Sequence, residues 1–271
     1  MPELPEVETT VRGVSPHVTG HTITQVDVRN ASLRWAVPDD LAFRLEGYTI
    51  DGVTRRAKYL LFSINDATML IHLGMSGSLR MVDPETPLKK HDHLIFSLSN
   101  GMQMRYHDPR RCGCVLWTEG AIDNHDLISH LGPEPLSEAF DVNYLWQRSR
   151  KRNIATKLFI MDSKVVVGVG NIYANEALFA AGINPNKAAG KLTKPACERL
   201  VHEIKKVLAA AIQQGGTTLR DFVGSDGQPG YFKQTLAVYG RGGEACVNCG
   251  RGLTETRLGQ RATVFCKVCQ K

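Results

Sequence analysis

Over the first 120 residues, apolar side chains recur mostly at every second position. Thr22–Asn30, TITQVDVRN, alternates apolar and polar residues, as a strand with one buried face does. YLLFSI, ATMLIHL, HLIFSLS and CVLW are short apolar runs broken by Gly, Asn and Asp. Several short strands joined by turns predict a sandwich or barrel. One helix should precede them, starting near Pro5. Proline suits the first turn because it has no N–H to lose, and the carboxylates of Glu6 and Glu8 favour the positive end of the helix. That chemistry leaves Pro2 and Glu3 unexplained.

After HLGPEPLS (His130–Ser137) the apolar spacing becomes helical. SEAFDVNYLWQRSRKR predicts an amphipathic helix capped by Ser137, and NIYANEALFAAG a second ending at Gly182. KPACERLVHEIKKVLAAAIQQGG predicts a long helix stopped by Gly215 and Gly216. Gly224–Gly230 predicts a loop, flexible enough to act as a lid. There are no internal repeats or low-complexity tracts. A chain of 271 residues accommodates two domains and a small module. The expected boundaries are 1–132, 133–235 and 236–271.

Charge adds a partner class. The net charge is +6, but it is unevenly spread: 13 Lys and Arg against 19 Asp and Glu up to Asn143, then 20 against 8 from Tyr144 on. An acidic half joined to a basic half predicts a polyanion partner, nucleic acid first. No stretch approaches the roughly 18 apolar residues of a membrane span. The N-terminus has no apolar signal core, so a cytoplasmic protein is expected.

The most specific motif is CVNCGRGLTETRLGQRATVFCKVC. Cys246 and Cys249 form one CxxC, Cys266 and Cys269 another, with sixteen residues between the pairs. This is the spacing of a four-thiolate zinc site closed over a hairpin. Four thiolates leave no open coordination position, so one structural Zn2+ is expected. Paired disulfides are the alternative, disfavoured in a reducing compartment. Arg251, Arg257, Arg261 and Lys267 make the segment a basic hairpin suited to DNA. Cys112, Cys114 and Cys197 have no ligand spacing. No redox or nucleotide cofactor is indicated.

Pro2 gains a meaning if Met1 is removed. The new N-terminus is a secondary amine with a pKa of about 8, well below the roughly 10.4 of lysine. Part of it is unprotonated at neutral pH and can attack a carbon electrophile. Attack on C1′ of a deoxyribose gives an iminium, which acidifies the C2′ proton and permits elimination of the 3′ phosphate. Glu3, next to the amine, is suited to proton transfer.

Taken in order, PELPEVET, RRAKYLL, HLGMSGSLR, YHDPRR, LGPEPL, VVGVGNIYANE, GGTTLRDF and GQRATVFC resemble the formamidopyrimidine-DNA glycosylase family along essentially the whole chain. The resemblance implies an α+β multi-domain fold: an N-terminal β-sandwich with flanking helices, a helix–two-turn–helix domain and a C-terminal zinc-finger β-hairpin. It implies a monomeric glycosylase and abasic-site lyase acting on oxidised purines in double-stranded DNA, held in a basic cleft between domains. Position by position, Pro2 is the implied nucleophile and Glu3 the proton donor and acceptor. Lys58 assists elimination, and Asn171 and Arg261 grip the phosphates flanking the lesion. His91 and Lys157 match further DNA contacts. GVGNIY lacks the third glycine and the βαβ context of a nucleotide site. The target base must leave the stack, and the vacated space is filled by Met75, Arg110 and the residue two further on. There the family pattern has Phe and this chain has Cys112. Two rivals follow: an endonuclease VIII-like enzyme for oxidised pyrimidines, and a non-enzymatic zinc-bearing DNA-binding protein.

Overall fold

The alternating runs fold as eight strands, described together with the rest of the chain in a computed structural model covering residues 2–215 and 236–271. Two compact units are present, one holding the residues up to Ser129 and the other His130–Gln213 with the C-terminal segment. In the first, β1 (Ile23–Val28), β6 (Asp92–Leu98), β7 (Gln103–His107) and β5 (Ser78–Val82) form one antiparallel sheet in that order. The second sheet runs β2 (Gly52–Arg56), β3 (Tyr59–Ile64), β4 (Ala67–His72) and β8 (Cys114–Glu119). One apolar core joins Val26, Phe96 and Met104 of the first sheet to Phe62, Ile71 and Val115 of the second. Helix α1 (Leu4–Val18) lays Val7, Val11, Val14 and Val18 into it, a stripe at helical spacing, and α2 (Leu41–Leu45) adds Leu41 and Leu45. A bulge between Ile23 and Gln25 lets Ile23 and Val26 both face inward from β1.

Strands β2, β5 and β7 carry too few apolar residues to stand out by pattern. In β7 and β5 the reason is a buried arginine. Arg105 donates to the carbonyls of Thr86 and Pro84 at 2.8 and 3.1 Å. Arg80 pairs with the buried Asp92 at 2.5 Å. A fully partnered guanidinium can occupy a core position that a hydrophobic template rejects.

The second unit contains α3 (Val142–Ser149), α4 (Thr156–Met161), α5 (Asn171–Ala180) and α6 (Lys194–Gln213). Helix α3 is shorter than expected and is not capped by Ser137. Asp141 caps it, accepting the Tyr144 N–H at 2.7 Å, whereas the Ser137 hydroxyl donates to the Glu134 carbonyl. Helices α5 and α6 end before Gly182 and Gly215 as expected. Gly216 and the Gly224–Gly230 segment lie outside the described residues. Two turns join α4 to α5, the helix–two-turn–helix arrangement. Strands β9 (Thr254–Leu258) and β10 (Arg261–Phe265) form the C-terminal hairpin. Gly259 and Gln260 both have positive φ, 52° and 63°, the signature of a two-residue type I′ turn. The hairpin has its own small core, shared with Phe179 of α5. Among the described residues, no helix is long and apolar enough to cross a membrane.

Candidate functional site

Pro2 and Glu3 are both buried directly before α1. The Glu3 backbone N–H donates to Glu6 Oε2 at 2.8 Å, one arm of a capping box that fixes how the chain enters the helix. The terminal segment therefore approaches the positive end of a helix, which lowers the tendency of an adjacent amine to hold a proton.

Lys58 lies in the two-residue turn between β2 and β3. Its neighbour Ala57 is buried with φ at 54°, a conformation costing about 1–2 kcal/mol for a residue with a Cβ. Arg55 holds the turn there. Its Nη1 donates to the Ala57 carbonyl at 2.8 Å and its Nε to Glu8 Oε2 at 3.0 Å. Burial alone would raise the Glu8 carboxyl, but hydrogen bonds from Arg55 and Arg12 outweigh it and hold the group below its ordinary value. One ionic link thus ties the Lys58 turn to the helix that begins after Pro2 and Glu3. Beside it, the His72 ring sits 5.0 Å from Tyr59. Burial, then the nearby charges of Lys58 and Arg34, push His72 down to about 4. The imidazole is neutral at pH 7, and its Nδ1 accepts the Gly74 N–H at 3.0 Å.

Met75 and Cys112 stand on two loops that interlock through their backbones. A Cβ on Gly74 would lie 2.4 Å from the Gly113 nitrogen, and one on Gly113 only 2.2 Å from the His72 carbonyl. Only glycine permits this approach. The buried Asp108 organises the second loop. Its Oδ2 accepts the Gly113 N–H at 2.9 Å and the Tyr106 hydroxyl at 3.3 Å, and its Oδ1 accepts the Ser76 hydroxyl at 3.3 Å. Met75 is 39% exposed and Arg110 is exposed. The half-buried Cys112 thiol donates to the Arg110 carbonyl at 3.5 Å. His91 lies against a basic hollow with Arg29, Lys90 and Arg111. It makes edge contacts with His93 and His107 at 5.9 and 6.0 Å.

In the second unit, Asn171 opens α5 directly after Gly170. Its side-chain oxygen is buried and makes no hydrogen bond among the described residues. Its carbonyl accepts the Asn175 amide at 2.6 Å, and Asn175 Oδ1 accepts the Val264 N–H of the hairpin at 2.9 Å. Glu176 accepts the N–H groups of Ala237, Val238 and Tyr239. Lys157 corrects its expected role. It is fully buried, and its Nζ donates to the Ala262 carbonyl at 2.7 Å and to Thr263 Oγ1 at 2.8 Å. It braces the hairpin next to the exposed Arg261 rather than facing a phosphate. Exposed cations lie just before it, at Lys151 and Arg152. The supporting residues Glu8, Arg55, Asp108, Asn175 and Glu176 went unrecognised in the sequence, because a polar residue's burial depends on partners distant in the chain.

The four cysteine sulfurs Cys246, Cys249, Cys266 and Cys269 lie within 4.8 Å of one another. The Cys249–Cys266 and Cys246–Cys269 separations are 3.5 and 3.9 Å. Tetrahedral bonds of about 2.3 Å place sulfurs roughly 3.8 Å apart, so the set fits one zinc ion.

Comparison with known proteins agrees with this arrangement. Residues 1–115 match the formamidopyrimidine-DNA glycosylase N-terminal domain, residues 131–223 its H2TH domain, and residues 243–271 the zinc finger found in FPG and IleRS. The formamidopyrimidine-DNA glycosylase of Saccharophagus degradans is 58% identical over 271 residues, all of both chains, and that of Pseudomonas aeruginosa is 57% identical over the same span. The crystal structure of MutM (Fpg) from Thermus thermophilus superposes with a TM-score of 0.89 at 37% identity, covering 99% of this chain and 98% of that one. Lactococcus lactis Fpg in complex with DNA containing N7-benzyl-Fapy-dG superposes with a TM-score of 0.92 at 34% identity, covering all of both chains. The chain belongs to the formamidopyrimidine-DNA glycosylase family, a family of DNA glycosylases with abasic-site lyase activity.

Proposed function

We propose that this chain excises oxidised purines from double-stranded DNA and then cuts the strand at the abasic site. The observation that carries the reading is the buried Pro2–Glu3 start of α1, tied through Glu8 and Arg55 to the strained turn bearing Lys58. The Pro2 nitrogen attacks C1′, and the bond to the base breaks with its electron pair leaving on the base. Glu3 protonates the sugar ring oxygen as the ring opens to an iminium. Loss of the C2′ proton expels the 3′ phosphate, a second elimination expels the 5′ phosphate, and water releases the amine. Lys58 neutralises charge at the leaving phosphate. Asn171 and Arg261 hold the backbone on either side of the extruded nucleotide. Met75, Arg110 and Cys112 fill the gap in the stack, and His91 adds a backbone contact. With Lys157 buried, the exposed Lys151 and Arg152 are the phosphate contacts of that region. The zinc ion serves structure alone, and a reduced four-thiolate site fits a cytoplasmic compartment.

Support also comes from the relatives. Lactococcus lactis Fpg was solved with Fapy-dG DNA and with abasic-site DNA. The same protein was solved with DNA containing an oxidised pyrimidine, so thymine glycol is a second substrate worth testing. Competing 8-oxoguanine and thymine glycol duplexes tests the reading. The expected result is faster release of 8-oxoguanine, with strand ends carrying phosphate on both sides of the gap. Tight duplex binding without base release would instead favour a non-enzymatic DNA-binding protein.

A further inference from the structure

The N-terminal unit carries a second concavity that the chemistry above does not use. It has a volume of about 760 Å3 and lies between α2, the β3–β4 turn and the end of β8. Lys58 precedes β3, whereas Ile64 at the far end of that strand lines the concavity. Six residues of strand put the two roughly 20 Å apart.

The lining combines aromatic rings with carboxylates. Phe43, Tyr48 and Trp117 supply the apolar walls. Trp117 packs on the core, but its indole N–H is buried with no hydrogen-bond partner among the described residues. Phe43 is 86% exposed and Tyr48 45%, so the apolar surface continues beyond the hollow, as it does at protein contact sites. Glu46, Asp66 and Glu119 stand at the rim. The one cation there, Arg44, is already paired with Asp40 and Glu119. Uncompensated carboxylates repel DNA and attract a cation, and aromatic faces favour Lys and Arg further. Strand β8 is the end strand of its sheet, so an extended segment can pair along it. A small molecule would fill the hollow but leave Phe43 bare.

We propose that this surface docks a basic, extended segment of a partner protein. An apolar anchor sits among Phe43, Tyr48 and Trp117, and the flanking Lys or Arg side chains meet Asp66, Glu46 and Glu119. The position leaves the Lys58 end of the sheet uncovered, so the partner and damaged duplex bind together.

The test measures fluorescence anisotropy of three labelled hexapeptides, KRFLKR, KRGSKR and EDFLDE, against the full chain. KRFLKR should bind about tenfold more tightly than either control. Phe43→Ser and Asp66→Lys should each weaken it about tenfold while cutting abasic duplex at the unmodified rate, which also establishes that both variants are folded. Saturating abasic duplex should leave peptide binding unchanged. Equal binding of the three peptides, unchanged binding by both variants, or displacement by duplex would each overturn the proposal. So would a concentration-dependent dimer abolished by Phe43→Ser, since it would make a second copy the occupant.

Discussion

Cys112 is the residue at which this chain departs from its family's pattern. A phenyl ring wedged into the duplex recovers stacking of about 1–3 kcal/mol per base, and a thiol has no π-face with which to do so. Its loop is fixed by Asp108 and the Gly74–Gly113 contact, so Phe at this position meets a prepared site. Cys112→Phe should tighten binding to lesion duplex and speed base excision, with little effect on an abasic duplex. Bound duplex should also protect the Cys112 thiol from alkylation. Equal excision rates together with an unprotected thiol would remove Cys112 from the DNA face. Arg55 is a positioning residue on this account, acting through the Ala57 carbonyl on Lys58. Arg55→Gln should slow strand cleavage at an abasic site about tenfold or more while leaving duplex affinity unchanged, and Arg55→Lys should recover part of the rate. A loss confined to affinity would contradict that role.

Two elements yield predictions of their own. The β4 end carries His72, whose ordinary value of 6.5 falls to about 4 in the fold. The unfolded chain therefore binds that proton more tightly, so stability is full above pH 6.5 and is lost as pH falls toward 4. The full loss is about 3 kcal/mol. His72→Asn should flatten the urea midpoint between pH 7 and 4.5, and an unchanged slope would show that other groups set it. The hairpin depends on zinc and on Lys157. Cys249→Ser should strip hydrogen-exchange protection from β9 and β10 while leaving the sandwich protected, and DNA affinity should fall with it. Full affinity in a zinc-free variant would make the hairpin a passenger. At this scale the sequence was readable wherever burial is apolar. Tyr59–Ile64 and Ala67–His72 match their predicted strands closely, and Lys194–Gln213 matches its helix. Strands β5 and β7 were hidden because Arg80 and Arg105 occupy buried positions, and α3 was over-extended because Asp141 outcompeted Ser137 as its cap. The Cys spacing, a local signal, marked the metal ligands correctly. The burial of Lys157 depends on a hairpin 105 residues away, which no local pattern reports.

For the whole molecule, the basic C-terminal half is the part that meets the polyanion. Lys151→Ala should reduce the salt slope of duplex binding by about one, whereas Lys157→Met should leave the slope unchanged and loosen the hairpin. A reduced slope for Lys157→Met would return that residue to the DNA face. The central claim, however, is that the N-terminal amine of Pro2 forms the covalent link to DNA. The most direct measurement is borohydride trapping on an 8-oxoguanine duplex, followed by mapping of the crosslinked residue. The account predicts one adduct on the Pro2 nitrogen, and none from protein that is N-terminally acetylated or retains Met1. An adduct formed at normal yield by the acetylated protein and mapped to Lys58 would contradict it.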